Sequence, residues 1–398
     1  MQSLCPPIDD LRSEDLVEAV TARHVSIVKS LLETRRVDVN AMDGHDRSPL
    51  WHAVSSKKKE MVQLLLDNGG DITAADLDSM TPLHQAIEKG YTPVAKILLS
   101  CSNTESVKLV LKGGDGDGDT EYEPPLCLTA RTGNVAIVRL LLGHGSDVNI
   151  PDYQRRTPLH LAAAKGVQAT WFGQRQVAKC LLAEGQVDMN AVGSDRSTSL
   201  HHAVEHGDKL VFRLLLRVEG LDPNVSNSIG QTPLSRAVES SNLDMVHLLL
   251  TRCDIRVNAM NPNQPSPLWL AVKAGHLSMV ATLLHHPTID PNKAWGIHLP
   301  PLLLSIVDGQ EDIAMLLLGL GERLDVNART LNGETALSLA AQRGSCQVVD
   351  RILQDRRTDV NCENKDGQTA LWWAEQNGHT AVVERLRADP RVRFNIEE

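Results

Sequence analysis

The chain has 398 residues, enough for two or three globular domains or for one array that grows by repetition. Hydrophobic residues at 42% and charged residues at 23% exclude disorder over most of the length, while aromatics at only 3% favour short helices packed through Leu, Ala and Val over a large aromatic core. A net charge of -10 argues against a nucleic-acid phosphate backbone as the main partner.

The opening residues 1–8 carry no basic start and no apolar run of signal-peptide length, and no later stretch is long and apolar enough to span a bilayer. An intracellular protein, cytoplasmic or nuclear and without membrane insertion, is expected. The seven cysteines are scattered, odd in number and form no CxxC pair, so they read as reduced thiols.

Thr81-Pro82-Leu83-His84 returns as Thr157-Pro158-Leu159-His160, and looser copies align on positions 49, 82, 125, 158, 199, 233, 267, 301, 336 and 370. Spacings are 33 to 35 residues except for two of 43 and 41. The next position is Leu in all ten copies, from Leu50 to Leu371. Three residues further lies Ala in eight, with Thr129 and Ser305 in the others. Thr or Ser can cap the helix that follows and Pro suits its first position. Gly eight residues after the Pro position predicts its end, with Lys57 and Ser241 as departures. A second helix closes on apolar pairs such as Leu65-Leu66, Leu215-Leu216 and Leu317-Leu318. Tracts such as Asp38-Val39-Asn40 and Asp325-Val326-Asn327 follow, whose Asn is expected to bond its own backbone and order the connecting hairpin.

These residues resemble the ankyrin-repeat family over roughly residues 12 to 390. The Val-Asp-Val-Asn hairpins and the pairs Leu50-Trp51, Leu268-Trp269 and Leu371-Trp372 are similar in style to long fungal ankyrin chains. The resemblance implies an all-α ankyrin-repeat solenoid of helix-turn-helix units joined by β-hairpin-like loops. A tail at 1–13 precedes a single array at 14–390, and 391–398 forms a C-terminal tail. About eleven repeats fall near 14–43, 44–75, 76–123, 124–151, 152–192, 193–226, 227–260, 261–294, 295–329, 330–363 and 364–390. Residues 14–40 suit a capping repeat that lacks Thr-Pro, and Arg385, Arg387, Arg391 and Arg393 are charge that keeps the far end wet. Insertions fall near 102–123 and 167–176.

In arrays of this family, the hairpin tips and the exposed side of the first helix form a concave surface that holds partners. Carried onto this chain, that surface includes Lys89, Lys165, His206 and Arg343 on first helices and Tyr153, Arg155, Arg156, Arg196 and Trp295 at tips. Trp171 and Phe172 in the second insertion could anchor a partner or fold back on the neighbouring hairpin. The tract Gly113 to Asp119 lacks the Gly and Glu that a twelve-residue calcium loop needs, and reads as a solvated linker. His202-Ala203-Val204-Glu205-His206 matches the H-x-x-E-H metallopeptidase pattern, yet it sits in repeat register and no third ligand of that family is recognisable, so it reads as an ordinary repeat and no metal is assigned. His84, His160 and His201 occupy the family's histidine position, where the imidazole ties hairpins together. No phosphate-binding Gly loop or serine elbow is present. The expected function is a non-catalytic, monomeric recognition scaffold that binds a protein partner and needs no cofactor. The alternative is an enzyme or pathway accessory with its site in the groove.

Overall fold

A computed structural model describes residues 13–101, 103–112, 123–164, 171–296 and 299–393. Among these residues there are 23 α-helices and no strand, only isolated bridges such as Asn261 to Gln264. The helices fall into two units, Met1–Leu221 and Asp222–Glu398, each a stack of helix pairs.

Local chemistry sets each pair. Thr81, Thr157 and Thr198 cap the helices Pro82–Glu88, Pro158–Ala163 and Ser199–His206, and the residue three further on, His84, His160 or His201, reaches back to the cap. In the second unit Ser235 and Ser338 close the same box on Thr232 and Thr335. The turn after the helix is left-handed, as the Gly spacing predicts, and Lys57 and Ser241 adopt that conformation at φ 62° and 55° even without Gly.

Packing explains the invariant Leu. Nine of the ten, from Leu50 to Leu337, are at most 1% exposed. Each contributes about 2 kcal/mol of apolar burial. Leu371, in the last described repeat, is only half-buried. Where Thr129 and Ser305 replace the small Ala, their hydroxyls donate to Pro125 O and Leu302 O of their own helix, so no polar group is stranded.

Two expectations change. The Asn of the Asp-Val-Asn tracts does not bond its own backbone; the Asp does, Asp38 Oδ1 accepting Asn40 N–H at 2.9 Å. The Asn instead bridges to the next repeat. Asn40 donates to Gly69 O and accepts from Asp71 N–H, Asn149 does the same with Gln186 and Asp188, and Asn258, Asn292, Asn327 and Asn361 continue the series in the second unit. The carboxylate can only accept, which suits the local N–H, whereas the amide of the same length bridges the gap between repeats with both a donor and an acceptor.

In the first insertion Thr104–Lys112 is a helix that buries Val107, Val110 and Leu111, while the Gly-Asp tract read as a linker lies outside the described residues. The second insertion lengthens a helix to Trp171–Ala183. Its first turn docks on the preceding repeat, where Gln174 Nε2 donates to Arg131 O at 3.1 Å and a Cβ at Gly173 would lie 2.3 Å from Gly133 O.

The arginines at the far end also do more than meet solvent. Arg391 donates to Leu353 O at 2.7 Å and pairs with Asp389, and Arg385 and Arg387 pair with Asp350 and Glu375.

Candidate recognition surface

Between helix pairs the chain makes five-residue fingers. In the first unit these are 43–47, 76–80, 152–156 and 193–197, each closed by a backbone bond from its first residue to its fifth. Asp43, Asp76 and Asp152 open three of them, and each carboxylate accepts two backbone N–H groups of its own finger. Neighbouring fingers are joined as well, Leu77 N–H to His45 O at 3.3 Å and Ser194 N–H to Gln154 O at 2.8 Å. Rigid loops of this kind hold tip side chains in fixed positions.

Among the described residues, the fourth residue of each finger closed in this way has a positive φ. In the second unit it is Gly230, Gly333 or Gly367; in the first it is Asp46, Ser79, Arg155 or Arg196, at φ 56° to 60°. A side chain there costs roughly 1–2 kcal/mol per residue in the left-handed region.

The residues expected to meet a partner separate into three groups. Tyr153, 63% exposed, and Arg155, Arg196 and Lys89, all exposed, face solvent in the first unit. Four others are engaged within the fold. Arg156 pairs with Asp152 at 2.8 Å inside its own finger. Trp295 packs edge to face on Trp269 and donates to Asn261 O. Arg343, though exposed, donates to Val307 O of the preceding repeat, and the half-buried His206 stacks on His202. Lys165 lies outside the described residues, as do the side chains of Trp171 and Phe172.

The structure adds residues that sequence reading passed over. Leu77 (66% exposed) in the first unit and Ile229 and Leu331 in the second are apolar residues held out on finger tips. Their signal in the sequence is a large apolar side chain inside a polar turn. A hollow of about 340 Å³ on the second helices Trp171–Ala183 and Lys209–Leu216 is lined by Arg175, Lys179, Arg213 and Arg217 with Leu210 and Leu214. Arg175 pairs with Asp208; the other three cations have no ion pair among the described residues. No sequence pattern announced this group, because its members come from two helices a repeat apart.

The family model for ankyrin repeats (3 copies) matches residues 16–105, 100–191, 167–261, 200–294 and 302–397. The chain belongs to the ankyrin-repeat family. Ankyrin repeats are protein-protein interaction modules. Similar proteins include a Caenorhabditis elegans homolog of transient receptor potential cation channel subfamily A member 1, 31% identical over 179 residues that make 45% of this chain and 13% of that protein. The Gallus gallus nuclear factor NF-kappa-B p105 subunit is 28% identical over 50% of this chain and 19% of its own. Inversin of Canis lupus familiaris is 28% identical over 51% and 18%. The chain thus spans less than a fifth of the length of these relatives. Among solved structures, the human ASB11 ankyrin repeat domain is similar at 27% identity and a TM-score of 0.44, over 58% of this chain and 98% of that one. Among the described residues, no helix of the ankyrin array is long and apolar enough to cross a membrane.

Proposed function

We propose that this ankyrin chain is a non-catalytic recognition scaffold, and that the tips of its first unit around Tyr153, Arg155 and Arg196 contact a protein partner with an acidic surface. One observation carries the reading. Arg155 and Arg196 stand in left-handed backbone where the second unit places Gly, so the first unit keeps long cationic side chains at a conformational cost the fold does not require. Such strain persists where the side chain is used. Tyr153 adds a rigid aromatic anchor beside the two cations, the pairing of residue types that dominates interface energy. A scaffold of this kind works as a monomer in the cytoplasm or nucleus, needs no cofactor to hold its partner, and with its net charge of -10 has nucleic acid as an unfavourable partner.

The same geometry supplies a test in which folding and binding separate. The double variant Arg155→Gly, Arg196→Gly is expected to raise the melting temperature while losing a partner that the unchanged chain recovers from lysate, identified by mass spectrometry. Recovery of the same protein at the same yield by the stabilised variant removes the tips from the recognition surface.

A further inference from the structure

We propose that His202, Glu205 and His206 form a binding site for a divalent transition-metal ion, Zn²⁺ by the chemistry of the donors. The three residues sit at i, i+3 and i+4 of the helix Ser199–His206, so one face presents all of them. One ligand atom from each comes within 4.8 Å of the other two. His202 Nδ1 is 3.9 Å from Glu205 Oε2, and the two imidazoles lie nearly parallel, 11° apart with centroids at 6.4 Å. Around a tetrahedral ion with bonds of about 2.1 Å, ligand atoms stand about 3.4 Å apart. Rotations of Glu205, whose side chain is 46% exposed, and of the half-buried His206 close the difference.

The environment prepares His202 as a ligand. Its side chain is only 14% exposed, so the surrounding repeat holds the ring in place. Its Nε2 is buried and has no hydrogen-bond partner among the described residues. The ring of His160 meets the His202 ring edge to face at 5.7 Å. Two imidazoles and one carboxylate are a donor set that suits Zn²⁺, with the fourth position on the open side of Glu205 and His206 left for water.

This placement also resolves the double reading of the His202-to-His206 segment. Repeat register puts Leu200, Ala203 and Val204 in the core, His201 at the cap and Gly207 at the helix end, and the same register turns His202, Glu205 and His206 to one side. The ordinary repeat and the metal-binding face are one geometry.

The test uses the full chain, freed of metal with a chelator and titrated with Zn²⁺ alone by calorimetry, then with Co²⁺ followed by visible absorption. One equivalent of Zn²⁺ is expected. His206→Ala should weaken it by about tenfold or more and Glu205→Gln severalfold, with circular dichroism unchanged because both side chains lie outside the core. The Co²⁺ form should show a tetrahedral visible band without a thiolate charge-transfer band. No uptake by the unchanged chain, equal affinity in both variants, or a thiolate band that assigns the ion to the cysteines would each overturn the site.

Discussion

In Asp222–Glu398 the repeats follow at 34 or 35 residues and every junction is fastened in the same way, whereas Met1–Leu221 breaks its own rules at several points. The second unit carries unbroken asparagine bridges and adds arginines at 34-residue spacing. Arg323 donates to Ile289 O, Arg357 to Leu324 O and Arg391 to Leu353 O, each reaching the preceding repeat. In the first unit the bridge fails at Thr73, whose hydroxyl turns back to Asp71, and the irregular repeat with the helix Thr104–Lys112 follows. The first unit also ties its hairpins by histidine, puts charged side chains in left-handed tips and gathers His202, Glu205 and His206 on one face. The difference teaches where to look for function in a repeat protein: regular junctions carry stability, and departures that cost stability without serving a junction mark a working surface.

The sharpest way to separate the units is acid. His84 accepts from the Thr81 backbone N–H and hydroxyl through Nδ1 and donates from Nε2 to Glu123 O at 3.0 Å, an arrangement only the neutral ring can make. Burial pushes it from 6.5 down to about 4, opposed by the Glu123 carbonyl and the Asp76 carboxylate. Because the folded value is the lower one, the unfolded chain takes up the proton first. The stability tied to the neutral ring is complete above about pH 6.5 and is lost as pH falls toward about 4. The loss is on the order of 3 kcal/mol at one fully buried ring. The second unit has Ser235 and Ser338 at this position, with nothing to titrate. His84→Ser should keep the cap and flatten that part of the acid dependence, measured as the difference between urea midpoints at pH 7.5 and pH 4.5. Equal acid losses in the variant and the unchanged chain would show that His84 does not set the contrast.

A smaller effect tests the bridges. Asn327→Ala removes the bond to Arg357 O at 2.7 Å and the bond from Asp359 N–H at 2.9 Å. Both groups are exposed, so water replaces part of the loss and about 1–2 kcal/mol is expected in denaturant unfolding. Thr73→Ala, at the junction already without a bridge, should cost about 0.5 kcal/mol or less. Similar losses at the two positions would mean that the bridges do not distinguish regular from irregular junctions.

Much of this was legible because the repeat writes its core at fixed spacing. Leu50, Ala53 and the turn at Lys57 could be placed from register alone, since each acts within its own helix pair. The asparagines were misread because their partners lie about 30 residues on, and only the stacking of one repeat on the next decides whether an amide bonds locally or across. The helix Thr104–Lys112 was hidden beside the Gly-Asp tract, although Val107, Val110 and Leu111 already had helical spacing. Arg156 and Arg155 are adjacent and chemically alike, yet one is held by Asp152 and the other stands free at the tip of the same finger. For His202 the sequence supplied the spacing but not the stranded Nε2, which depends on how the ring is turned.

The smallest expected effect concerns the one place where both units depart alike. Lys57 and Ser241 stand in left-handed backbone where their neighbours have Gly, and each side chain reaches the next repeat: Lys57 Nζ lies 4.5 Å from the centroid of the Tyr91 ring, and Ser241 Oγ is 2.7 Å from His276 Nε2. Replacing Lys57 by Gly relieves about 1 kcal/mol of backbone strain. It also gives up a cation–π contact that contributes about 0.5 kcal/mol at an exposed site. The net expectation is a gain of about half a kcal/mol, whereas Lys57→Ala loses the contact, keeps the strain and should destabilise. Opposite signs for Gly and Ala in thermal unfolding identify Lys57 as a strained tie between repeats, and equal signs would reduce it to an ordinary surface residue.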